Sequence, residues 1–84
     1  MNSRQKRTLE AVYANPVMPN IPWADIESLL IAVGCRRIEG AGSRVRFEYR
    51  TVVATFHRPH PAKEAKRYQM RDAREFLSKL GVRP

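Results

Sequence analysis

Two histidines, His57 and His60, stand close together in the run FHRPHP, and two arginines, Arg44 and Arg46, stand upstream in SRVRFEY. Cleaving RNA needs a base to take the 2′-hydroxyl proton, an acid for the departing 5′-oxygen, and cations for the five-coordinate phosphate. Imidazole suits the first two tasks because it titrates near neutrality, and guanidinium suits the third by donating two parallel bonds to phosphate. His57, His60, Arg44 and Arg46 can therefore form a ribonucleolytic set. On chemistry alone a plainer reading is equally open, in which His57 ends a strand and His60 bonds a loop carbonyl. His-x-x-His without cysteine or paired carboxylates is a poor metal site, and Gly40-Ala41-Gly42 is neither a lysine-bearing phosphate loop nor a full GxGxxG. No metal or cofactor is expected.

The elements that must hold these residues follow from periodicity. Val45, Phe47 and Tyr49 alternate with Arg44, Arg46 and Glu48, which predicts a strand from Ser43 to Tyr49 with one buried and one wet, cationic face. Val52 to His57 predicts the next strand. A two-residue turn at Arg50-Thr51 pairs Tyr49 with Val52, Phe47 with Ala54 and Val45 with Phe56, putting every apolar residue on one face. The other face then pairs Glu48 with Val53, Arg46 with Thr55, and Arg44 with His57. Arg50-Thr51 lacks the Gly or Asn that tight hairpins prefer, so a longer turn is an alternative. A short strand at Arg36 to Glu39 precedes the Gly40-Ala41-Gly42 turn.

Helices flank this sheet. Ile26, Leu29, Leu30 and Val33 repeat at i, i+3, i+4 and i+7 behind Pro22, and Gly34 supplies the stop. Ala73, Phe76, Leu77 and Leu80 repeat the stripe, with Met70 one turn earlier and Gly81-Val82 as the cap. Trp23 reads as a core lid rather than a base-stacking platform. Arg58-Pro59-His60-Pro61 cannot continue a central strand, so a basic loop through Lys63, Lys66 and Arg67 leads into the last helix. Ser3 to Ala14 forms a first helix with a narrow stripe of Leu9, Val12 and Tyr13. The three prolines from Pro16 to Pro22 make a tether, so this helix is expected to pack loosely as a peripheral element. The whole is an α+β fold, a three-stranded antiparallel sheet with two helices on one face, preceded by a short N-terminal helix. The division is residues 1–20 as helix and tether, and 21–84 as the main domain.

The 84 residues leave room for one modest core and for no large buried cavity. Net charge is +8, and it is uneven: residues 1–34 sum to zero, while 36–67 carry nine basic and three acidic side chains. Such a concentration favours a polyphosphate partner, nucleic acid ahead of an acidic protein. The single cysteine, Cys35, suits a small core residue in a reducing compartment. No apolar run approaches the length of a membrane span or a signal peptide, so the cytoplasm is expected, with no membrane partner.

From about Ile21 to Val82 the chain resembles the HicA toxins of HicAB toxin–antitoxin pairs. The segments that carry the likeness are IPWADIESLLIAVGC, GAGSRVRFEY, VVATFHRPHP and DAREFLSKLGV. The resemblance implies a fold like the double-stranded-RNA-binding domain (dsRBD-like). It also implies metal-independent endonucleolytic cleavage of mRNA, growth arrest, and neutralisation by a HicB-like antitoxin. Members commonly carry a catalytic histidine after Gly-Ser at the start of the second strand, whereas here Gly42-Ser43 is followed by Arg44. By position the likeness gives site roles to Ser43 and His60, and the strand register adds His57 as replacement base beside a phosphate-holding Arg44. The RNA contacts expected are Ser43, Arg44, Arg46, Arg58, Lys63, Lys66 and Arg67. Two other readings use the same residues, a non-catalytic RNA-binding domain and a basic module that binds only an antitoxin.

Overall fold

The computed structural model describes all residues from Met1 to Pro84. Its elements are α1 (Ser3–Tyr13), α2 (Trp23–Val33), β1 (Arg36–Glu39), β2 (Arg44–Tyr49), β3 (Val52–His57) and α3 (Arg67–Lys79). The strands form one antiparallel sheet in the order β1-β2-β3. No helix is long and apolar enough to cross a membrane.

The hairpin register is the one that the alternation predicts. Arg44 pairs with His57, Val45 with Phe56, Arg46 with Thr55 and Phe47 with Ala54, with Tyr49 opposite Val52. Val45, Phe47 and Phe56 are buried against the helices, while Arg44, Arg46, Thr55 and His57 are exposed on the other face. The connection is the short one. Arg50 accepts a φ of 56°, which glycine or asparagine would adopt at less cost, and its guanidinium lies 5.6 Å from the centre of the Tyr49 ring.

Glycine closes two helices by the same device. Gly34, at φ 114°, lets Cys35 N–H reach Leu30 O at 3.0 Å, and Gly81, at φ 76°, lets Val82 N–H reach Leu77 O at 2.9 Å. Ile26, Leu29, Leu30, Ala73, Phe76 and Leu77 are buried as their spacing requires, and Cys35 joins them, its thiol pKa pushed up by burial. Trp23 packs 5.2 Å from Phe56, so it is a core residue.

The first helix departs from expectation. Far from packing loosely, α1 buries Leu9, Ala11 and Val12 in the common core, with Thr8 buried beside them. Arg74 on α3 donates to the carbonyls of Val12 at 2.9 Å and Ala14 at 2.7 Å, satisfying the free acceptors at the end of α1. Tyr13 Oη donates to Val82 O at 2.7 Å, and Gln5 Nε2 to Ser28 Oγ at 3.0 Å. Leu9→Ala is accordingly expected to cost about 2–5 kcal/mol, as core truncations do, read from the urea midpoint. A loss under about 1 kcal/mol would return α1 to the periphery.

Candidate nucleic-acid interface and active site

The turn between β1 and β2 sets where Arg44 begins its strand. Gly40 N–H bonds Arg44 O at 2.9 Å and Arg44 N–H bonds Ala41 O at 3.2 Å, so Arg44 directs its main chain toward β1. A Cβ on Gly40 would lie 3.1 Å from Arg44 Cβ, which explains a glycine there. On the other side Arg58 N–H bonds Ser43 O at 2.9 Å. Antiparallel pairs alternate, so Ser43 with Arg58 and Val45 with Phe56 are hydrogen-bonded pairs and Arg44 with His57 is the close, non-bonded kind between them. Their Cβ atoms are then about 5 Å apart on the open face.

Neither Arg44 nor His57 has a side-chain partner in the chain, whereas Arg46 does. Arg46 Nε lies 3.0 Å from Glu48, which also takes Arg36 at 3.1 Å. Glu48 thus engages Arg36 and Arg46 together and leaves Arg44 without a carboxylate partner. Beyond β3, His60 is exposed, and three residues of chain keep its Cα within about 11 Å of that of His57. The loop is pinned to the segment before α2, since Trp23 N–H bonds Lys63 O at 2.8 Å and Ala65 N–H bonds Ile21 O at 2.7 Å. Lys63, Lys66 and Arg67 are exposed at its end without ion pairs.

Arg58 does not join these free cations. Its guanidinium bonds Glu27 through Nε at 2.7 Å and Glu39 through Nη1 at 2.7 Å and Nη2 at 2.9 Å. Glu27 is only 7% exposed, and it also accepts from Trp23 Nε1 and from Arg37 at 3.1 Å. Burial would raise the Glu27 carboxyl pKa, but the bonds from Arg58, Trp23 and Arg37 outweigh it and hold it below the usual carboxylate range. Arg58 likewise holds Glu39 low, and the two carboxylates, Glu39 first, lift the Arg58 pKa further above its ordinary value. Arg58, one of the residues expected to contact RNA, has its guanidinium engaged as a clamp joining α2, β1 and the exit of β3.

Gln69 is a positioning residue absent from the sequence-based expectations. It is 2% exposed, accepts from Lys66 N–H at 2.9 Å and donates to His57 O at 2.6 Å. One side chain thereby ties the start of α3 to the end of β3. Its spacing of four from Ala73 and seven from Phe76 places it on the buried stripe, the signal that could have revealed it.

Residues 23–82 match the family model described as the HicA toxin of bacterial toxin–antitoxin. No curated protein and no solved structure shows a significant match. The match begins at Trp23, takes in every strand and both helices that pack on the sheet, and ends at the Val82 cap: the chain belongs to the HicA toxin family.

Proposed function

We propose that this HicA-family chain is the toxin of a type II toxin–antitoxin pair and acts in the cytoplasm as an endoribonuclease that cleaves mRNA without a metal. The observation that supports the reading most is the cross-strand pair of Arg44 and His57, opposed in register, exposed, and free of intrachain partners. His57 takes the 2′-hydroxyl proton, and the freed oxygen attacks phosphorus. Arg44 holds the phosphate, and His60 protonates the departing 5′-oxygen. Lys63, Lys66 and Arg67, with Ser43 and Arg46 on the hairpin, grip the backbone on either side. Arg58 and Gln69 position these groups rather than touch the RNA.

Incubating the purified protein with mRNA in EDTA is expected to give fragments ending in 2′,3′-cyclic phosphate, the product of attack by the adjacent hydroxyl. Induction in cells is expected to arrest growth. A second reading has a specific observation behind it, because Arg44 stands where the family commonly carries histidine. It makes the chain an RNA-binding domain without cleavage. Intact RNA bound with a steep loss of affinity in salt would establish that reading in place of the first.

A further inference from the structure

The two edges of the sheet are not equivalent. β1 is four residues long and carries Arg36, Arg37 and Glu39, the charged, short form that resists pairing with other strands. β3 is six residues, VVATFH, paired without a bulge along its length and holding no proline, lysine or carboxylate. Because Arg58 and Phe56 bond toward β2, the main-chain groups of Val53, Thr55 and His57 point away from it. Gln69 takes the His57 carbonyl. The three N–H groups and the carbonyls of Val53 and Thr55 have no partner in the chain.

Beside this edge runs a groove of about 180 Å³ between β3 and α3, whose α3 wall presents Asp72, Glu75 and Lys79. Asp72 is exposed and unpaired, and Glu75 has only the exposed Lys79 at 3.4 Å. In a protein of net charge +8 this wall is locally acidic, the wrong sign for RNA. On the open face Val53 is 49% exposed beside it.

We infer that the free edge of β3 is where the antitoxin implied by family membership docks, by adding an extended strand between β3 and α3. The inference rests on the toxin reading above. The added strand has period-two chemistry: basic side chains face Asp72 and Glu75, and uncharged or acidic ones lie over Val53 and the cationic face. It runs beside His57 and so blocks the site. A second copy of this chain is a poorer occupant, since edge-to-edge pairing would bring two +8 bodies together with Asp72 and Glu75 of each flanking the junction.

The test is amide hydrogen exchange on the full chain, alone and purified in complex with the antitoxin encoded beside it. Exchange at Val53, Thr55 and His57 is expected to slow at least tenfold in the complex. A complex that leaves those amides unchanged overturns the strand addition while sparing the toxin reading. Failure to form any complex overturns both. Thr55→Pro removes an outward N–H without costing a bond to β2, and is expected to weaken antitoxin binding at least tenfold with circular dichroism unchanged. Asp72→Lys is expected to weaken it several-fold. Full binding by a folded Thr55→Pro protein counts against the inference, and the wild-type exchange result stands even if that variant does not fold.

Discussion

Replacing Arg58 by alanine is expected to destabilise the protein by about 3 kcal/mol, the lower end of what breaking a buried ion pair costs. The reason lies with the residue left behind. Glu27, 7% exposed in the wild type, keeps Trp23 and Arg37 as donors but loses both of its bonds to Arg58. The Glu39 side of the clamp is open to solvent and adds little. Arg58→Lys is expected to recover only part of the loss, because an ammonium cannot span both carboxylates. The double variant Glu27→Leu with Arg58→Met should sit closer to wild type than Arg58→Ala does, since it removes both charges together. Acid separates this account from simple packing. Carboxyl groups held below their ordinary range contribute stability that is present above about pH 4.3 and lost as pH falls through the lower, folded value. Between those values the unfolded chain binds more protons, so the urea midpoint rises with pH. The wild type is expected to weaken below about pH 4, and Glu27→Gln to show a shallower acid loss. An acid profile unchanged by Glu27→Gln would remove the clamp as its cause.

The sheet was readable because one face is buried: a slip of one residue would expose Val45, Phe47 and Phe56 and bury Arg44 and Arg46, so alternation alone selects the register. The length of the turn was not, because Arg50 is an unfavourable residue for a φ of 56° and the register enforces it. The seating of α1 was hidden for a different reason. Its stripe is narrow, and what anchors it is polar and distant, Arg74 to Val12 and Tyr13 to Val82, pairs more than 60 residues apart in the chain. The charge excess located the cationic region but not its free members. Of the nine basic residues in 36–67, Arg36, Arg37, Arg46 and Arg58 are paired with glutamates. Composition counts charges, and only tertiary contacts show which are neutralised. Five have no carboxylate partner: Arg50 lies over Tyr49 in the β2–β3 turn, while Arg44, Lys63, Lys66 and Arg67 lie with the two histidines toward the other end of the sheet and its adjoining loop.

That narrowing gives the largest expected effect on activity. His57→Ala is expected to lower RNA cleavage about 10²–10⁴-fold, the range for removing a general base, with RNA affinity changed little. Arg44→Ala should act on binding as well. Losing one phosphate contact lowers the slope of log affinity against log salt by about 0.7–0.9, and cleavage falls further through the uncompensated phosphate. The contrast between the variants follows from the pairing. Arg44 and His57 form a close cross-strand pair whose main chains face opposite ways, Arg44 bonded to the Gly40–Ala41 turn and His57 to Gln69, so either side chain can be removed without loosening the other. Arg44→His puts an imidazole at the position where the family commonly has one, within about 5 Å of His57 at Cβ. It is expected to raise cleavage and to restore activity to the His57→Ala protein. Wild-type cleavage by His57→Ala would move the base off β3. Cleavage by Arg44→His alone, with none by the wild type, would mean that this hairpin keeps the geometry of the site while Arg44 withholds the base.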